Sequence, residues 1–289
     1  MAMYHEGELE VQRRAGVADN AARIGRSIHQ EIPELARQFA EERRFVLVGA
    51  ADSTGRVWAT LLQGQPGFLS AAAEDRLHVA AHPRAGDPLA ETLAAAADVG
   101  LLLIDPPTRR RMRLNGRARP DGAGGLEVEA REVYANCPKY IQPRVVGLPD
   151  AARPAHAERS ERLGPDQMRW ISTTDTLFIA TRHPSAGADV SHRGGEPGFA
   201  RVPNAQHVLI PDYAGNMMFN TLGNVAADGR AGLLLVDFAT GRTLQMTGTA
   251  TIYWDAEMVA EFPNAQRVLE LEIEAVVETT PAQAGLTGP

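Results

Sequence analysis

The stretch Gly100–Ala118, GLLLIDPPTRRRMRLNGRA, lies without a gap on Gly232–Ala250, GLLLVDFATGRTLQMTGTA, at a constant offset of 132 residues. Gly100, Leu101, Leu102, Leu103, Asp105, Thr108, Arg110, Gly116 and Ala118 are identical to their counterparts, with Ile/Val and Met/Leu exchanges between them. Self-similarity at a fixed spacing decides architecture before any local pattern does. Upstream the register persists with small slips. FVLVGAA from Phe45 falls on LFIATRH from Leu177, Pro66-Gly67-Phe68 on Pro197-Gly198-Phe199, and Ala85-Gly86…Thr92-Leu93 on Ala214-Gly215…Thr221-Leu222. Two homologous halves are expected, roughly residues 45–119 and 177–254.

Each half reads as strands with one short helix. Phe45–Ala51 and Val57–Leu62 are β-prone runs joined by the turn Asp52–Gly55, and Arg76–Ala81 is a third strand. Pro88–Ala97 reads as helix, with Asn216–Asn224 as its counterpart. Gly100–Asp105 and Arg111–Arg119 make a second hairpin through Pro106-Pro107, matched by Ala239–Gly241. Mostly antiparallel strands with one helical plug predict a small barrel, which closes its own edges.

Outside the halves the pattern is more helical. Ile24, Ile28, Ile32, Leu35 and Phe39 form a helical stripe, with Pro33 suited to opening a second helix. Leu126–Asn136 reads as a helix after the Pro120–Gly125 loop. The expected organisation is an N-terminal helical segment (1–44), a first barrel with a trailing helix (45–142), a linker (143–166) and a second barrel (167–289).

Composition excludes several classes. Thirty-six acids against 29 bases, without a basic patch interleaved with aromatics, give no electrostatic reason to expect nucleic acid. The single cysteine, Cys137, rules out an intrachain disulfide framework and suits a reducing cytoplasm. The N-terminus mixes acids and arginines where a secretory signal carries an apolar region, and the longest apolar stretch, Leu93–Ile104, is too short to span a bilayer, so no membrane partner is expected. GxxxxGK[ST] and a strand-to-helix GxGxxG are missing, which disfavours a Rossmann site. There is no HExxH, and His78 and His82 fall on a strand entering a loop, so no metal is expected.

The strongest chemical signal is Asp189–Gly195, DVSHRGG, followed by PDYAGNMMFNT from Pro211. Ser191 and Arg193 alternate on a strand, placing a hydroxyl and a guanidinium on one face, where both can hold a phosphate. The Gly215-Asn216 step lies where the short helix is expected to begin, and free helix-start amides attract anions.

These residues resemble the FMN-binding split barrel of the pyridoxamine 5'-phosphate oxidase superfamily: the strand-borne Arg193, the helix-start Gly215-Asn216 and the later strand Leu244–Gly248. Asn136-Cys137-Pro138-Lys139-Tyr140-Ile141 is similar to the signature of a large bacterial subgroup, and His5–Gly16 resembles its N-terminus. The resemblance implies a mostly β chain with helices: two tandem split β-barrels forming an intrachain pseudo-dimer, with the flavin in the crevice between them. It places Ser191, His192 and Arg193 along the flavin phosphate and ribityl chain, and Asn216, Met217, Asn220 and Thr221 around the phosphate-side helix. It also implies Gln245 reaching the ring, and Asn136, Pro138, Lys139 and Tyr140 near it.

Lys139 is the only lysine; the other 28 basic residues are arginines. A compact ammonium where the chain otherwise uses guanidinium points to a requirement of the site. Cys137 lacks a partner pattern for activation and reads as inert. The halves are unequal, since Trp58-Ala59-Thr60 stand for Asp189…His192 and Asp87-Pro88 for Asn216-Met217, placing a carboxylate where phosphate would lie, with Arg84 as a possible substitute. One flavin site is therefore expected. The functional expectation is an FMN-dependent oxidoreductase exchanging hydride with a small-molecule substrate, with Lys139, Tyr140 and His192 as the catalytic candidates. The alternatives are a non-catalytic flavin- or haem-binding barrel and an F420-dependent reductase. A homodimer of the whole chain stays open.

Overall fold

Along β5 (Ala97–Asp105) the side chains alternate between two cores. Val99, Leu101 and Leu103 enter the core of the first half, whereas Leu102 and Ile104 enter a core shared between the halves. Strand β13 (Arg230–Val236) repeats this: Leu233 and Leu235 fill the second half, Leu234 and Val236 the shared core. A strand buried on both faces needs apolar residues at every position, which accounts for the unbroken GLLLI and GLLLV runs. Each such leucine contributes roughly 1.5–3 kcal/mol on burial.

The computed structural model describes residues 4–135, 138–150 and 155–282. Three helices come first: α1 (Glu6–Arg14), α2 (Ala18–Gly25) and α3 (Glu34–Glu41), with Pro33 as N-cap of α3. The first half contains β1 (Phe45–Ala51), β2 (Val57–Gln63), β3 (Leu69–Ala73), β4 (Arg76–Val79), α4 (Ala90–Leu93), β5, β6 (Arg110–Pro120) and β7 (Leu126–Ala135). After β8 (Ala155–Ser160) and α5 (Pro165–Thr173), the second half contains β9 (Thr176–His183), β10 (Gly187–Gly194), β11 (Arg201–Asn204), β12 (His207–Tyr213), α6 (Asn220–Asp228), β13, β14 (Thr243–Tyr253), α7 (Ala256–Ala260) and β15 (Ala265–Pro281).

The sheets run β2-β1-β5-β6-β7-β4-β3 and β10-β9-β13-β14-β15-β12-β11, the same order in both halves, and every pairing is antiparallel. The architecture is two tandem split β-barrels forming an intrachain pseudo-dimer, preceded by helices. The halves meet through reciprocal contacts. A Cβ on Gly100 would collide with the backbone of Asp189 on β10, and one on its counterpart Gly232 with the backbone of Val57 and Trp58 on β2. Glycine at both positions is what lets sheet lie on sheet at the seam.

Four expectations are corrected. Leu126–Asn136 is not a trailing helix: residues 126–135 form β7, whose burial alternates as Leu126, Val128 and Ala130 inward and Glu127, Glu129 and Arg131 outward. That period of two outweighs the helix propensity of Glu, Ala and Arg. The segment 143–166 is more than a linker, because β8 pairs with β15 and α5 begins at Pro165. The expected helix 88–97 shrinks to α4, residue 97 already belonging to β5, and the helix expected from Asn216 begins at Asn220. No helix among the described residues is long and apolar enough to cross a membrane.

Candidate functional site

Strand β10 alternates like any strand, so Ser191 and Arg193 share a face, and that face meets the start of α6 and, from the other half, β6. Ser191, His192, Arg193, Asn216, Met217, Asn220, Thr221 and Tyr140 line one cavity of about 100 Å3 at the seam, together with Arg111 and Arg113 of β6. The loop into α6 is tightly wound. Met217 and Phe219 both have φ 62°, and the Asn216 side chain accepts from the Met218 amide. Left-handed non-glycine residues cost of order 1–3 kcal/mol each and concentrate where a loop is shaped for a ligand.

The cavity is strongly cationic. Among the described residues Asp212 is the one acid lining it, and Asp212 is held in a fork by Arg267 at 2.9 and 2.8 Å, leaving Arg193 at 3.8 Å. Arg113 is buried: it donates to Asp189 at 2.8 Å, to the Tyr134 hydroxyl at 2.9 Å and to Ser191, while Thr221 donates to Ser191 at 2.9 Å. Burial alone would lower the Arg113 guanidinium, but Tyr134 and Asp189 outweigh it and its pKa rises. Burial lowers Arg193, and burial together with the Arg111, Arg193 and Arg144 guanidiniums holds His192 well below the ordinary imidazole range, so its ring is neutral at pH 7.

The Nε atoms of Arg113 and Arg193 and Nε2 of His192 are buried without a hydrogen-bond partner. Each such atom costs about 1–3 kcal/mol unless something satisfies it. Three around one cavity, beside a hydroxyl pair and the start of α6, form a donor set matched to an anion with several acceptor oxygens.

A buried polar network ties this cavity to the N-terminal helix. Asn220 donates to Glu8 and accepts from Tyr134 at 3.1 Å, Asn224 donates to Thr181 at 3.0 Å, and Thr181 donates to Asp189 at 2.6 Å. Burial pushes the Glu8 carboxyl up to about 8. His5 stacks on His183 with ring centres 4.0 Å apart, and burial lowers it to about 4. His5, Glu6 and His183 lie within ligating distance of one another, but the Nδ1 atoms accept backbone amides and the Nε2 atoms contact Asn224 and Glu6, leaving no free ring nitrogen for a metal.

Three expected residues lie elsewhere. Gln245 is not in this cavity; it donates to the Ala59 carbonyl at 3.0 Å and to Asp87 at 3.1 Å, across the seam in the first half. Its place beside Ser191 is taken by Arg113, its counterpart in the repeat, because each β6-type strand reaches over the opposite half. Lys139 is exposed, its ammonium 5.1 Å from the Tyr140 ring centre, and Pro138 is exposed on a neighbouring cavity. Tyr140 donates to the Ala214 carbonyl at 3.1 Å and packs 5.3 Å from Tyr213. Asn136 and Cys137 lie outside the described residues.

Sequence reasoning missed Arg111, Arg113, Tyr134 and Glu8. The signal for Arg113 was present in the alignment that sets it opposite Gln245, once the crossing of the halves is known.

Residues 164–283 match the family model described as pyridoxamine 5'-phosphate oxidase. A comparison with curated proteins found no match. Solved structures similar to this chain include HupZ of Group A Streptococcus, 13% identical over 39% of this chain and 92% of that one, with a TM-score of 0.33. An FMN-binding protein from Syntrophomonas wolfei is 10% identical over 39% and 84%, with a TM-score of 0.30. An FAD-binding protein from Mycobacterium smegmatis is 12% identical over 43% and 100%, with a TM-score of 0.31.

Proposed function

We propose that the chain is an FMN-dependent oxidoreductase acting on a small molecule by hydride exchange at flavin N5, with the seam cavity receiving the cofactor's phosphate end. One observation carries this reading: Ser191, Arg193, Thr221 and Arg113 converge on a cavity where three buried nitrogens lack partners. The family match over residues 164–283 supports a flavin as the anion's owner. We also infer a tandem duplication, supported by the 132-residue offset and the shared strand order.

When bound, FMN supplies hydride exchange at N5 and the protein supplies binding, orientation and electrostatics. Arg193 and Arg113 neutralise the phosphate by charge-assisted hydrogen bonds, with Ser191, Thr221 and the α6 amides completing the grip. Neutral His192 offers its unpartnered Nε2 to a polar ligand atom. Tyr140 borders the cavity, where its hydroxyl positions the substrate, and the Lys139 ammonium lies 5.1 Å from the Tyr140 ring centre. The single cysteine fits work in a reducing cytoplasm.

The test is the visible spectrum of the purified chain. Flavin bands that bleach with dithionite and return in air support the reading. A Soret band or a colourless protein that takes up no FMN overturns it, and mass analysis of the extracted cofactor separates FMN from F420.

A further inference from the structure

A second cavity, about 500 Å3, lies beside the first and shares Arg111 with it. Its floor is apolar: Pro33, Leu35, Ala36 and Phe39 from the N-terminal segment, with Met112 and Val133 of the first barrel. Leu35 is 74% exposed, unusual for a leucine on an amphipathic helix. The charged part of the lining is one-sided, since Arg109, Arg110 and Arg111 follow one another along it and no aspartate or glutamate among the described residues lines it. Among the described residues neither Arg109 nor Arg110 forms an ion pair; Arg110 lies 4.8 Å from the Phe39 ring centre.

Arg109 is also held in a conformation it disfavours. Its φ is 56°, while its counterpart in the second half's matching turn is Gly241, at φ 73°. The two turns are otherwise alike, with Thr108 donating to Asp105 and Thr240 to Asp237. Glycine adopts this conformation freely and arginine does not, so the first half keeps a strained cation at the rim where the repeat shows a relaxed alternative.

We propose that this cavity is the substrate pocket of the redox site and takes an organic acid with an apolar body, its anionic group held by Arg109, Arg110 and Arg111. The word substrate rests on the flavin reading above; the pocket's selectivity does not. Apolar walls supply burial of the body, and a planar guanidinium is suited to a carboxylate or sulfonate.

The test is fluorescence titration of the full-length chain with 8-anilinonaphthalene-1-sulfonate, an apolar anion, and with neutral N-phenyl-1-naphthylamine. The anion is expected to bind saturably and at least about tenfold more tightly than the neutral probe, the discrimination of one charge-assisted contact. Arg109→Gly with Arg110→Gln should remove that preference and leave the neutral probe's affinity unchanged, while Ala36→Trp, which fills the cavity, should weaken both. Flavin content, read by absorbance in the same samples, should match the wild type, so failure of the flavin reading shows separately as colourless protein. Equal affinity for the two probes, anion binding unaffected by the double substitution, or displacement of the anion by FMN would overturn the proposal.

Discussion

The molecule builds the same seam twice with different chemistry, and one side opens at β10 into a cationic cavity. On the open side β10 presents Ser191, His192 and Arg193 to a cavity closed from the other half by Arg113. On the other side the pairing register answers differently. Ile179 faces Ser191 and Leu177 faces Arg193, whereas their counterparts Leu47 and Phe45 face Leu61 and Gln63. The structural match to Ser191 and Arg193 is thus Leu61 and Gln63, two residues along from the alignment by sequence, because the β1–β2 turn is longer than the β9–β10 turn. Gln63 donates to the Pro149 carbonyl, and Arg84, the expected substitute, donates to Gln63 at 3.2 Å. Asp87 accepts from Thr60, the Leu89 amide and Gln245, and burial raises its pKa. A carboxylate and a crossing segment stand where the open side has cations and an α6 loop, and the cavities beside them, of about 600 Å3 at Trp58, Asp87 and Pro88 and about 260 Å3 at Gln63 and Pro149, are lined differently. Identical topology therefore does not carry identical chemistry; a handful of side chains decides it.

The largest expected effect separates the two crossing residues. Arg113→Met strands the buried Asp189 carboxylate and should cost about 3–5 kcal/mol, whereas Gln245→Met, which breaks neutral hydrogen bonds, should cost about 1–2 kcal/mol; urea unfolding of both variants measures the gap. Next comes the ligand. Arg193→Ala should weaken FMN binding about 100-fold, or about 3 kcal/mol, and Arg84→Ala should leave it unchanged in calorimetric titration. Equal losses would mean that the Asp87 side also binds.

A third difference is the helix that covers the open side alone through Glu8 and Asn220. Folded Glu8 titrates near 8, above its ordinary value of 4.5, so the folded state holds the extra proton and stability falls as pH rises through that interval. His5, lowered from 6.5 to about 4, acts in the opposite sense below pH 6.5, so Glu8 stands clear of it between pH 6.5 and 8. The fall across that window should be ~2 kcal/mol and should vanish in Glu8→Gln, as read from unfolding at several pH values. Smallest is the strain at the matched turns: Arg109→Gly should raise stability by up to ~1 kcal/mol by relieving its left-handed backbone, seen as a small upward shift of Tm.

Much of the fold was legible because the repeat is written in core residues. Leu101–Leu103 and Leu233–Leu235 must alternate between two interiors, and that demand keeps their spacing intact. The β7 segment was misread because LEVEAREVYA satisfies helix propensity residue by residue while its burial follows a period of two. Ser191, Arg193, Asn216 and Thr221 could be grouped from the sequence, and they line one cavity, because they lie on one continuous stretch of one half, where strand alternation and a following helix place them locally.

The amino-acid sequence by itself determined that there are two like modules, which strand bears the hydroxyl and the guanidinium, and that the modules are not chemically equal. Only the tertiary structure decided which half's strand completes which cavity. Arg113 and Gln245 occupy equivalent positions in the repeat, and no local pattern says that each must serve the opposite module. That follows from the face-to-face packing permitted by Gly100 and Gly232, which brings β6 over β10 and β14 over β2. Contacts between residues far apart in the chain depend on how whole sheets dock, and docking is a property of surfaces rather than of any single stretch of residues.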